Sequence, residues 1–222
     1  MNISLFVQAI LKYFIGLITV SLLLFIPGTI EYWNGWLFIC LLFIPMYIAG
    51  IILMIKDPSL LKERLDINEK EEEQKQVIIY SGIMFILGFV IAGLNYRYSW
   101  LILSKQIVIT SSVVFIFTYI LYGEVLRENR YLSRTIKVSE NQKLIDKGMY
   151  KIVRHPMYLV TVILFLTIPL ILGSLISFII FLAYPIVIIK RIKNEEQVLE
   201  KQLKGYKEYE KKVKYRLIPY IW

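Results

Sequence analysis

The chain has 222 residues, 57% of them hydrophobic, 14% aromatic and 19% charged, with a formal net charge of +9 and a mean hydropathy of +0.60. A soluble domain of this size is roughly 45–50% apolar and about 25% charged, so an ordinary water-soluble fold is excluded. The length allows one domain or at most two.

Six apolar runs, Leu5 to Ile26, Gly35 to Ile55, Val77 to Leu94, Trp100 to Tyr122, Met157 to Leu172 and Leu175 to Ile189, alternate with short charged stretches. A helix needs about 20 apolar residues to cross a hydrocarbon core of ~30 Å. The first, second and fourth runs reach that length and the third comes close. The last two are short and separated only by Gly173 and Ser174, which predicts a tight helical hairpin. The fold class expected is all-α, a polytopic membrane protein of about six transmembrane helices. Lys12 and Lys105 interrupt two runs near their ends, where a long side chain reaches the interface.

The first run lacks an A-x-A-like cleavage site and reads as a retained helix rather than a signal peptide. Between the second and third runs, Asp57-Pro58 predicts a turn and Pro58 to Leu65 a short interfacial helix. The acidic run Glu69 to Glu73 reads as a solvated face. Glu124 to Tyr131 continues helically out of the fourth run, Ser133 to Gly148 is polar and partly non-helical, and Lys190 to Lys214 predicts a charged amphipathic helix. The chain divides in character into residues 1–123, membrane helices, and 124–222, where polar chemistry gathers around both feet of the hairpin.

Basic residues set the orientation. Lys56 to Gln76 carries five Lys/Arg, Gly123 to His155 eight and Lys190 to Trp222 ten, whereas the intervening loops carry only Arg97. Six crossings with both ends inside put every basic segment, both termini and the polar region on the cytoplasmic side. The charge therefore flanks membrane segments and suits anionic lipid headgroups; no nucleic-acid partner is expected. One cysteine, Cys40, rules out an intrachain disulfide, and one histidine with one cysteine cannot build an ordinary zinc site, so no metal is expected. The sequence contains no GxGxxG, Walker-type loop, HExxH or GxSxG.

Arg154-His155-Pro156 opens a helix. Proline suits the first helical position, which leaves His155 at the N-cap, beside N–H groups that favour an anion. The alternative is that Arg154 and His155 only anchor the hairpin at the interface. At the other foot Arg191, Glu195 and Leu199 share a helical face with Glu196 beside them. By spacing alone that is a surface ion pair of small value. Tyr206, Tyr209 and Tyr215 interleave with lysines as in an interfacial helix.

The segments Arg127-Glu128-Asn129, Gln142-Lys143, Gly148-Met149-Tyr150, Arg154-His155-Pro156-Met157-Tyr158, Glu195-Glu196, Gly205-Tyr206, Tyr209 and Tyr215 to Pro219 together resemble the isoprenylcysteine carboxyl methyltransferase family. More broadly, they are similar to the membrane methyltransferases that include the phospholipid N-methyltransferases. The resemblance implies an S-adenosylmethionine-dependent methyltransferase with its cofactor pocket among the last helices. Carried onto matching positions, Gln142, Tyr150, His155, Tyr158 and Glu195 or Glu196 would line that pocket, and helical phase with Arg191 favours Glu195. Arg154, Arg191 and Arg216 are the cations expected to orient an acceptor. The acceptor implied is lipophilic or lipid-linked, with a carboxylate, amine or thiol as nucleophile, and the cell membrane is expected to be bacterial. The alternatives are an NAD(P)H-dependent membrane reductase and a non-enzymatic membrane scaffold.

Overall fold

The structure is a computed structural model describing residues 3–66, 72–136, 138 and 142–222, with the side chains of 72 and 73 left aside. The described residues form helices α1 (Ile3–Phe25), α2 (Trp33–Lys56), α3 (Pro58–Leu65), α4 (Glu72–Tyr98), α5 (Lys105–Glu128), α6 (Pro156–Ile171), α7 (Leu175–Phe181), α8 (Ala183–Gln202) and α9 (Tyr206–Lys212), with a 3-10 turn at Gly148–Lys151. Among the described residues, five stretches are long and apolar enough to cross a membrane: Ile3–Phe25, Trp33–Lys56, Gln74–Tyr98, Lys105–Glu128 and Leu175–Gln202; Pro156–Ile171 is a shorter apolar helix. Isoleucines and leucines on α1, α2, α4 and α5 stay exposed, among them Ile15, Ile18, Ile51, Ile83 and Ile120. Such a surface is stable only against lipid.

Asp57 closes α2 and caps α3, its carboxylate accepting from Leu60 N at 3.2 Å, with Pro58 at the first helical position. The short helix read from Pro58 to Leu65 is therefore present. Lys12 Nζ donates to Leu65 O at its end. The acidic run Glu69 to Glu73 lies outside the described residues except for the backbone of Glu72 and Glu73, which opens α4.

Three loops meet at the opposite end. Tyr32 Oη donates to Leu172 O at 2.5 Å and Asn34 Nδ2 to Ile171 O at 2.9 Å, satisfying the last carbonyls of α6. Leu103 N donates to Gly173 O at 2.9 Å and Leu175 N to Leu101 O at 3.3 Å. The tip of the α6–α7 hairpin thus lies level with the α1–α2 and α4–α5 connections. These bonds also correct the fourth apolar run: Trp100 to Leu103 is a loop paired with the hairpin tip, and the helix begins at Lys105.

Two further expectations are corrected. The second hairpin arm is not short: α7 and α8 form one nearly continuous stretch over Leu175–Gln202. It breaks at Leu182 because Pro185 has no N–H to give Phe181 O. The tail helix expected over Lys190 to Lys214 is two pieces, α8 ending at Gln202 and α9 starting at Tyr206, with Gly205 between them at φ +86. A left-handed backbone there ends one helix and turns the next back against it.

One core of buried residues runs from Leu24 to Leu217. Its middle is aromatic: Phe85 lies 4.9 Å from Phe165 and 5.4 Å from Phe181, and Phe165 lies 4.6 Å from Tyr184. These rings join α4, α6, α7 and α8 and form the apolar floor of the site below. Replacing Asn34, 5% exposed, with alanine leaves Ile171 O unsatisfied; we expect a loss of about 1–3 kcal/mol, read as a lower melting temperature in detergent.

Candidate active site at the foot of the hairpin

The site is built on a corner. His155 caps α6 and Pro156 takes the first helical position, as the sequence predicts. Arg154 N donates to Tyr215 O and His155 N to Arg216 O, both at 2.9 Å, so the C-terminal segment lies along the corner like a paired strand. Beneath it Glu196 is 3% exposed. Its Oε1 accepts from Arg154 Nε at 2.9 Å and Nη2 at 2.8 Å and meets His155 Nε2 at 3.2 Å; its Oε2 accepts from Arg216 Nε at 2.7 Å.

Facing the cluster, a cavity of about 650 Å³ opens between α4, α6, α8, α9 and the segment after α5. Gln142, Tyr150, Arg154, His155, Tyr158, Arg191 and Glu195 all line it. Glu195 accepts from Tyr158 Oη, which in turn accepts from Arg191 Nε at 2.8 Å. The Arg191 guanidinium also lies 5.8 Å from the centre of the Tyr158 ring. Arg191, Glu195 and Leu199 share the cavity face of α8, in the helical phase read from the sequence.

Glu196, offered with Glu195 as a cofactor-lining group, is not on the cavity wall. One position further along α8, it points into the protein, where its charge is taken up by Arg154, His155 and Arg216. Arg154, read as an acceptor-orienting cation, is spent on protein partners as well: besides Glu196 it donates to Val213 O at 3.2 Å and approaches Glu210 at 3.5 Å. Arg216 is engaged in the same way. Of the three candidate arginines, Arg191 is the one on the cavity face of α8.

The segment after α5 is held at both ends. Arg64 Nη1 donates to Ser133 O at 3.4 Å and Arg191 Nη2 to Arg134 O at 2.6 Å. Asn129 Nδ2 donates to Tyr150 Oη at 3.0 Å, and Tyr209 Oη to Tyr150 O at 2.6 Å. Gly148 sits at φ +57 where a Cβ would meet the Glu128 carboxylate at 1.7 Å; that carboxylate accepts from Met149 N at 2.9 Å. The glycine of the Gly148-Met149-Tyr150 motif thus lets the turn close on Glu128 and present Tyr150. Burial holds the Tyr150 and Tyr209 phenols above their ordinary pKa, so both are donors at neutral pH. Arg134 also lines the cavity, and burial together with the like charges of Arg64 and Arg191 pushes its pKa down.

Sequence reasoning missed Arg64, Arg134 and the α4 wall, because each enters through long-range packing. Asn129, Glu128 and Tyr206 stood within the quoted motifs without a role in the pocket.

The arrangement predicts an asymmetry between neighbouring glutamates. Glu196→Ala leaves Arg154 charged and buried and is expected to cost about 3–5 kcal/mol. Glu195→Ala removes a half-buried partner of Tyr158 and costs far less. Thermal unfolding of the two variants in detergent checks the difference.

Two comparisons bear on this geometry. The chain is 33% identical over 91 residues to the Delta(14)-sterol reductase TM7SF2 of Mus musculus, covering 40% of this chain. It spans about a fifth of that protein's length, 22%. Residues 107–201 match the model of the isoprenylcysteine carboxyl methyltransferase (ICMT) family. That match takes in most of α5, the Tyr150 turn, the Arg154-His155-Pro156 corner and α8 through Glu195 and Glu196, and it supports the isoprenylcysteine carboxyl methyltransferase family for this chain.

Proposed function

We propose that the protein is an S-adenosylmethionine-dependent methyltransferase of the membrane that acts on a lipophilic or lipid-linked acceptor. The observation that carries this reading is a single cavity with two unlike walls. At the hairpin foot it is polar, with Tyr150, His155, Arg191 and Glu195; between α4, α6 and α8 it is apolar, with Val77, Ile78, Phe85, Phe165 and Ile188. A water-soluble cofactor and a lipid-like acceptor are thereby brought to one boundary. The volume, about 650 Å³, lies within the roughly 300–1,000 Å³ usual for small-molecule sites.

The donor set fits a zwitterionic, sulfonium-bearing cofactor. Tyr150 and Tyr158 line the polar wall, Glu195 offers a carboxylate to the cationic sulfonium, and the first turn of α6 favours the methionine carboxylate. S-adenosylmethionine supplies an activated methyl group for in-line displacement. Glu195, oriented by Tyr158 and Arg191, aligns the polar ligand, while Gln142 and Tyr150 close the wall against water. Arg191 orients an acceptor that carries negative charge. A carboxylate or thiolate is already nucleophilic, so alignment and exclusion of water provide the acceleration and no general base is required. In this reading residues 124–222 carry the chemistry and α3–α4 lend Arg64 and the apolar wall. The cavity mouth and both termini face the cytoplasm, a placement supported by the basic segments, and the Ile- and Lys-rich chain suits a bacterial cell membrane.

A second reading, a nicotinamide-dependent reductase, is favoured by the sterol reductase similarity and by Arg64, Arg134, Lys143 and Arg191 on the cavity wall, which suit phosphates. Calorimetry on the detergent-purified protein separates the two. S-adenosylhomocysteine is expected to bind saturably, with at least tenfold weakening (about 1.4 kcal/mol) in His155→Ala and Glu195→Gln. Binding of NADPH in its place overturns the proposal in favour of the reductase, and binding of neither leaves the scaffold.

A further inference from the structure

Among the described residues that line the cavity, Glu195 is the one carboxylate, whereas Arg64, Arg134, Lys143, Arg154 and Arg191 are cations. Arg154 is taken up by Glu196, and Arg191 by Tyr158 and the backbone. Even without those two, Arg64, Arg134 and Lys143 outnumber Glu195. The arginines also converge on two consecutive residues. Arg64 donates to Ser133 O at 3.4 Å and to Tyr122 Oη, and Arg191 donates to Arg134 O at 2.6 Å. The Arg134 side chain is exposed on the cavity, and its guanidinium has no hydrogen bond or ion pair among the described residues. The protein packed round it, and then the like charges of Arg64 and Arg191, push its pKa down. By itself such a cluster is repulsive, and an anion relieves it.

The methyl donor does not supply that anion. S-adenosylmethionine carries a sulfonium, an ammonium and one carboxylate, so its net charge is positive and the imbalance grows when it binds. The compensating charge falls to the acceptor. One arginine fork satisfies a carboxylate, whereas a terminal phosphate brings a charge of about −1.5 to −2 at neutral pH and three acceptor oxygens, enough for more than one fork. The place of the remaining acceptor follows from α4. Gln74 Nε2 donates to Asn194 Oδ1 at 2.7 Å and Lys190 Nζ to Gln76 Oε1 at 2.8 Å, which brings Val77 and Ile78 alongside the turn of α8 that carries Arg191. Ile78 lines the cavity and is still 47% exposed, next to the exposed Ile79 and Ile83. A Cβ on Gly82 would meet nothing within 4 Å, so the wall is open there. An apolar surface thus runs from the arginines onto the lipid-facing side of α4, where a hydrocarbon chain is suited and the sugars of a dinucleotide are not.

We propose that Arg64, Arg134 and Arg191 bind a terminal phosphate on a lipophilic acceptor, and that Arg134 is the residue that selects phosphate over carboxylate. The assignment rests on the methyl-donor reading above and narrows its acceptor class. The phosphate is an anchor, distinct from the nucleophile that takes the methyl group.

The test is Arg134→Gln in the full chain in a neutral detergent. Its ligand-free melting temperature should stay level or rise, since no internal bond is lost and like-charge repulsion is relieved. Calorimetry then compares hexyl phosphate, hexanoate and inorganic phosphate and, separately, S-adenosylhomocysteine and NADPH. Wild-type protein is expected to bind hexyl phosphate at least about tenfold more tightly than hexanoate or inorganic phosphate. The variant should weaken hexyl phosphate by about tenfold or more, the range of one charge-assisted contact, and change hexanoate and S-adenosylhomocysteine by less than about threefold. Failure to bind hexyl phosphate, equal affinity for hexanoate, or no effect of the variant on hexyl phosphate overturns the assignment. Inorganic phosphate bound as tightly as hexyl phosphate overturns it in favour of the free ion, and NADPH bound with an affinity that depends on Arg134 overturns it in favour of a dinucleotide. A lower melting temperature without ligand also overturns it, because the guanidinium then has a structural role. Wild-type protein that shows the hexyl phosphate pattern but does not bind S-adenosylhomocysteine is a separate result, in which the phosphate site stands and the methyl-donor reading fails.

Discussion

The carboxylate of Glu196 is shared by Arg154, His155 and Arg216, and through them one buried acidic group joins α8, the entry to α6 and the C-terminal segment. A buried charge is costly unless its partners are geometrically complete. Here two oxygens meet donors from three directions, and Glu210 adds a second carboxylate near Arg154. The consequence is rotational. With Glu196 turned inward, α8 has one phase, and that phase turns Arg191, Glu195 and Leu199 to the cavity. The backbone pairing of Arg154 and His155 with Tyr215 and Arg216 then holds the corner against the tail.

The rest of the molecule places that corner at a boundary. The hairpin tip is fastened at the far end by Tyr32, Asn34 and the loop before α5, and the aromatic floor of Phe85, Phe165 and Tyr184 fills the middle. Charged groups are left for the foot, where α3 and the segment after α5 converge and water can solvate what the protein does not pair. Arg64 and Arg191 both clamp the backbone of that segment, so the wall on the polar side depends on the amino-terminal half of the chain as well as the carboxyl-terminal half.

Much of this was legible in the sequence. Hydropathy located the membrane helices, Asp57-Pro58 and His155-Pro156 marked two helix starts by proline's preference, and four-residue spacing gave the cavity face of α8. Other features were not legible because they depend on contacts distant in sequence. Helical phase with Arg191 favoured Glu195 for the cavity, but nothing local reveals that Glu196 is buried on an ion cluster; that follows from Arg154, His155 and Arg216, all distant in sequence. The fourth apolar run conceals a loop, since Trp100 to Leu103 is apolar but pairs with the hairpin tip. Gly205 was visible, but charge and amphipathicity on both sides of it read through as one helix. Tyr206 read as an interfacial residue until α9 folded it against Leu203.

Amide hydrogen exchange of the detergent-purified protein, with and without S-adenosylhomocysteine, tests most directly that this cavity is the cofactor site. Protection confined to the segment around residues 142–158 and to the end of α8 and α9, with α1 and α2 unchanged, is the result predicted. No change with S-adenosylhomocysteine, or the same protection produced by NADPH instead, would contradict the account.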